Sequence, residues 1–146
     1  MAAMSDYLEN KLVDHIFRGV SFTAPAALHV ALFTAAPSDS GGGTEVSGGS
    51  YARAALSPST TNWAATNGAT TTTNPSSGTG GATSNNSAIT FPAPTANWGT
   101  VTHFGVFDAS SSGNLLVHGA LTASKTVNNG DAAPSFAISA LVVTLA

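Results

Sequence analysis

The sequence contains no cysteine. That excludes a disulfide framework and any thiolate metal site. Charge is nearly as scarce: 8% of residues are Asp, Glu, Lys or Arg, against about 25% in an average soluble protein. The four basic residues, Lys11, Arg18, Arg53 and Lys125, are scattered, and the net charge is −3. No basic stripe exists to neutralise phosphates, so nucleic acid is not an expected partner. No apolar run reaches the ~18 residues of a membrane span, so none is expected. The N-terminal MAAMSDYLENKL carries acids where a secretory signal has a basic flank, so it does not read as one; if the protein ends up outside a cell, another route such as lysis is expected.

Ser, Thr, Asn and Gly remain to make the polar surface, and 42% apolar residues to fill a core. At 146 residues one domain spanning 1–146 is expected. Its strongest local signal lies at 98–127. The apolar runs 101–107 (VTHFGVF) and 115–121 (LLVHGAL) flank the turn formers DASSSGN, the pattern of a hairpin. A further strand is predicted at 124–127, before the turn Asn128-Asn129-Gly130-Asp131. Shorter strands are predicted at 28–33, 51–56, 88–91, 135–138 and 141–145. Many short strands at intervals of about ten residues predict a mainly β fold, an antiparallel β-sandwich or barrel-like domain.

One short N-terminal α-helix is predicted over 6–18. Leu8, Leu12 and Ile16 recur every four residues, Ser5 or Asp6 supplies an N-cap, and Gly19 a C-terminal stop. So short a helix needs a docking surface. Its Leu8, Leu12 and Ile16 face is therefore expected to be buried against the sheet or a neighbouring subunit. Residues 57–87 are low complexity, with Trp63 their only aromatic. They read as an exposed loop, as Thr-rich edge strands, or as an arm gripping another subunit. Asn85-Asn86-Ser87 has the form of a glycosylation sequon.

Chemistry-bearing residues form no assembled motif. His29, His103 and His118, with Asp108, are the only set that metal ligation could draw on, and no spacing brings them to one helix face. The glycines at 41–43 lack the Gly-Lys-Ser/Thr of a phosphate loop. No Gly-x-Ser-x-Gly elbow frames a nucleophile. The carboxylates Asp39, Glu45, Asp108 and Asp131 all sit in turn contexts, where turn chemistry accounts for them. Tyr51, Trp63 and Trp98 are candidates for a carbohydrate platform or, more simply, for packing at an interface. No catalytic, cofactor or metal residues are expected. Leu8, Leu12, Ile16, Tyr51, Trp63 and Trp98 are the candidate oligomer or partner contacts.

The segments SDYLENKLVDHIFRG, LHVALFTAAPSDSGGGTEVSGGSYARAAL and ITFPAPTANWGTVTHFGVFDASSSGNLLVHGALTASKTV resemble a family of small structural proteins of tailed bacteriophages. Its members are labelled tail-fibre-like, minor structural or capsid-decorating. The resemblance implies a non-enzymatic virion component. The expected role is capsid decoration: cementing the outside of the head by bridging major capsid subunits, as a homo-oligomer, with a trimer expected from capsid geometry. The alternative is a tail-fibre or tail-tip component that contacts the host surface. Low charge suits either role, because broad interfaces then desolvate few ions.

Overall fold

A computed structural model describes residues 2–68 and 75–145. Its framework is an antiparallel sheet of strands β1 (Ala2–Met4), β2 (His29–Ala35), β3 (Thr44–Glu45), β4 (Ala54–Ala55), β7 (Gly99–Phe107) and β8 (Leu115–Val127). The order is β1-β8-β7-β2, and both β3 and β4 pair with the outer side of β2. Two small pairs form a second layer: β5 (Ala82–Ser84) with β10 (Val142–Thr144), and β6 (Ile89–Thr90) with β9 (Ser135–Phe136). This is the expected mainly β, antiparallel, sandwich-like architecture.

Alternation along the strands decides what lies between the layers. Val30 and Leu32 of β2, Phe104 and Val106 of β7, and Val117 of β8 share one sheet face. They meet Ile89, Phe91, Leu141 and Val143 from the second layer. Aromatic rings bridge the layers. Phe136 lies edge-on to both Phe91 and Phe104, with centroids 6.3 Å apart in each case. Two glycines of the hairpin make room: a Cβ on Gly119 would stand 3.0 Å from the Phe104 ring, and one on Gly105 2.9 Å from Leu115.

The hairpin extends further than its sequence signal. Residues 115–127 form one strand rather than two. No turn former interrupts Thr122-Ala123, so the chain absorbs the irregularity as a bulge instead: residues 121–124 stand opposite Thr102 alone. Bulges of this kind bend and twist the strand that carries them. Strand β1 had no sequence signal, being three residues of MAAM, yet it pairs with β8 from Val117 to Gly119.

Helix α1 (Asp6–Phe17) begins where β1 ends. The hydroxyl of Ser5, itself 1% exposed, accepts from the Leu8 N–H and donates to the Leu115 carbonyl. The N-cap is thus also the joint between helix and sheet. Gly19 ends the helix at φ +69°, the left-handed backbone that a C′ glycine adopts at no steric cost. Leu8 packs against the core, whereas no helix residue is fully buried and Ile16 is 64% exposed. The sheet takes only the narrow Leu8 side of the apolar face.

The low-complexity segment is partly folded into the second layer. Strand β5 belongs to it, and Trp63 makes a bridge to Asn85; residues 69–74 lie outside the described residues. Asn85 is wholly buried. Its amide donates to the carbonyls of Ser87 and Ala137, both at 2.8 Å, and its oxygen accepts from the Leu141 N–H at 2.8 Å. The asparagine of the sequon pattern, which so short a match leaves mostly to chance, is a core staple with its polar groups engaged.

Candidate functional site

On the sheet face turned away from the core, a cleft of about 590 Å³ opens beside β2, β7 and the N-terminal turn of α1. Phe33, Phe107 and Leu115 form its floor, and residues 39–43 its rim. One wall is built by Arg53. Its Nε and one terminal nitrogen donate to the two oxygens of Glu45 at 2.8 and 2.7 Å. The other terminal nitrogen donates to the Ala109 and Ser112 carbonyls at 3.0 and 2.8 Å. The guanidinium lies 3.6 Å from the centre of the Phe107 ring. A bidentate carboxylate pair on an aromatic face uses the planar fork that only Arg offers.

Tyr51 extends this network into the sheet. The Leu32 N–H donates to its phenol oxygen at 2.9 Å, and the phenol donates to Glu45 at 3.0 Å. The hydroxyl therefore satisfies a β2 amide where no strand residue does. Burial, reinforced by the charge of Glu45, raises the Tyr51 pKa well above the ordinary phenol value, against the Leu32 bond and Arg53, which lower it. The phenol is held as a neutral donor to Glu45.

The rim is exposed and polar. Asp39 pairs with His118 Nε2 at 3.0 Å, tying the rim loop to β8. Gly43 is needed there: at φ +75°, a Cβ would come within 2.9 Å of the backbone at residues 35–37. Asp108 binds the Asn114 backbone and side-chain amides, both at 2.7 Å, and Asp131 the Asn128 N–H at 2.8 Å. Both therefore act in turns. Among the described residues no three His, Asp or Glu side chains stand close enough to hold a metal ion. His29, His103 and His118 lie on three separate strands.

The aromatic candidates occupy interior positions. Trp98 is 5% exposed and donates to the Gly49 carbonyl at 2.9 Å. Tyr51 meets its ring edge-on at 5.3 Å. Trp63 is half-buried against the core, its indole N–H on the Leu56 carbonyl. They do not form an exposed stacking surface. Tyr51 and Trp98 instead anchor the loops at 45–53 to the sheet. Leu8 packs inward, Leu12 is half-buried and Ile16 faces solvent.

A second concavity lies on the opposite side, between the bulged end of β8 and the residues around β9 and β10. It measures about 620 Å³. Val101, Phe104, Leu121, Pro134, Phe136 and Leu141 give it an apolar lining, and Lys125 is the one charged residue among those that line it.

Residues 3–144 match the family described as Podophage GP4 fiber I protein gp80. The chain belongs to that family. As a member of the gp80 fibre family it is a structural protein of the phage virion, and the cleft and groove are surfaces of a virion part. A search of curated proteins finds no match. No helix among the described residues is long and apolar enough to cross a membrane.

Proposed function

We propose that the chain is a non-enzymatic fibre component of a tailed-phage virion that contacts the host surface. The observation that carries this is the fibre-family match over residues 3–144. It favours the tail-fibre reading over capsid cementing, because the matched family is described as a fibre and not as a decoration protein. The architecture supports a mechanical role. The charged groups best placed for chemistry are engaged in structure: Glu45 with Arg53 and Tyr51, Asp108 and Asp131 in turns. A bidentate pair of this kind, held further by Tyr51, fixes loop shape. Host contact is assigned to the exposed loops around the polar cleft, whose shape the Arg53 network holds.

The test is the copy number per purified virion, measured by quantitative mass spectrometry against the major capsid protein, with adsorption measured beside it. A fibre gives a small ratio, and purified protein competes with phage for host cells. A ratio near one to one, with no competition, overturns the fibre reading and returns capsid decoration.

A further inference from the structure

The apolar surface of α1 is divided. Leu8 turns to the core, while Val13, Ile16 and Phe17 stand 49%, 64% and 80% exposed. At 3.6 residues per turn these three make one strip on the solvent side. Asp6 and Glu9, seven residues before Val13 and Ile16, continue that strip toward the N-terminus and are exposed too. The strip thus presents an apolar knob with acids beside it. The groove at the end of β8 is its converse: a hollow lined mainly by apolar side chains, with Thr122, Ser135 and Thr144 among them and a single charge, the cation Lys125. Its volume of about 620 Å³ suits a few large side chains.

We propose that the groove receives the Val13–Ile16–Phe17 strip of α1 from a second copy of this chain. Phe17 is the anchor, an aromatic side chain entering a pocket as interface hot spots do. Lys125 meets the acids at the strip's N-terminal end. The helix of one chain stays exposed and leaves its own groove open, so the two surfaces are free to meet between chains. Such a contact joins different surfaces on the two partners. It is heterologous, and it repeats into a ring or a filament according to the rotation between copies. The outer edge of β8 beyond Gly119 has no strand beside it among the described residues, so the groove's rim on that side is open to an incoming helix.

The test uses the full chain in sedimentation velocity over a concentration series, with circular dichroism to verify folding. The wild type associates as concentration rises. Phe17→Asp removes the knob and Ala123→Glu places an acid in the groove. Each weakens self-association by at least about tenfold. Both sites are exposed, so both variants fold; Ile16→Asp and Val142→Asp serve as second variants for knob and groove. The decisive sample is the equimolar mixture. Each variant keeps the surface the other has lost, so the mixture forms a complex of two chains that grows no further. A wild type that stays monomeric at every soluble concentration overturns the proposal. So does association lost with Phe17→Asp but untouched by Ala123→Glu, which is the signature of helix-to-helix pairing. A mixture that fails to pair overturns it as well, and leaves the groove to a small apolar ligand.

Discussion

Replacing Arg53 by Met keeps the apolar stem as far as the position of Nε while removing every polar contact the side chain makes. Four hydrogen bonds go: two to Glu45 and one each to the Ala109 and Ser112 carbonyls. The guanidinium's contact with the Phe107 ring is lost as well. The arginine side chain is 7% exposed and that of Glu45 27%, so the carboxylate left behind is only partly rescued by water. Breaking one side of a buried ion pair costs about 3–5 kcal/mol. Partial exposure of Glu45 sets the expectation at the lower end, about 3 kcal/mol. Removing both charges, as Arg53→Met with Glu45→Gln, leaves no orphaned ion. The amide oxygen that Glu45→Gln introduces still accepts from Tyr51, and the double variant should recover at least about 1 kcal/mol relative to Arg53→Met alone. Urea unfolding followed by tryptophan fluorescence measures the wild type and both variants, with unchanged m-values needed to read midpoints as stability. A loss below about 1 kcal/mol for Arg53→Met would place the pair among exposed surface bridges and refute its role as the clamp between the 108–114 turn and the 44–53 loops.

Asn85→Ala orphans the buried Leu141 N–H and releases the Ser87 and Ala137 carbonyls, which lie nearer the surface; the unpaired donor carries the desolvation penalty, so the loss should be about 2–3 kcal/mol in the same urea assay, and loss of protection of the Leu141 amide in hydrogen exchange would accompany it. Tyr51 sets an alkaline limit. Its folded-state pKa is raised, so its contribution is complete below the unfolded value of about 10 and is lost as pH climbs above that value. In that window the wild type should lose about 1.4 kcal/mol per pH unit more than Tyr51→Phe does, and parallel pH profiles would count against a buried neutral phenol. Gly43→Ala places a Cβ against the backbone of residues 35–37 at positive φ; the expected cost is at least about 1 kcal/mol, and thermal melting should expose it.

Local physics makes much of this chain legible in its sequence. The helix followed from a serine cap, a four-residue apolar repeat and a stop glycine, all within one short window. The central hairpin followed from two apolar runs around DASSSGN. What stayed hidden depends on distant partners. Arg53 sits in YARAAL, which reads as an alanine-rich strand with one solvated charge; its carbonyl partners lie 56 and 59 residues away. Asn85 sits in a polar tract that looks like loop, and its partners Ala137 and Leu141 lie 52 and 56 residues on. Both residues are polar, so composition assigns them to the surface. Only the closed count of donors and acceptors shows them to be interior. Trp98 is the mirror case: an aromatic beside a proline-rich turn reads equally as platform or core, and the Gly49 carbonyl that its indole finds is what fixes it inside.

These placements share a cause in the poverty of charge. A chain with four Lys and Arg residues that commits one of them to an internal clamp has few cations left to mark a surface. Lys11 and Arg18 stand on or beside α1, Arg18 held by Asp14 at 3.1 Å. Lys125 is the cation at the mouth of the apolar groove. In the proposed pairing, charge complementarity between copies runs through very few residues, and specificity falls to shape: one aromatic knob, one hollow, and loops held in place by a buried arginine. A fibre protein assembled in this way would tolerate wide changes in salt, since screening acts on exposed charges, while a single substitution at Phe17 would cost it far more.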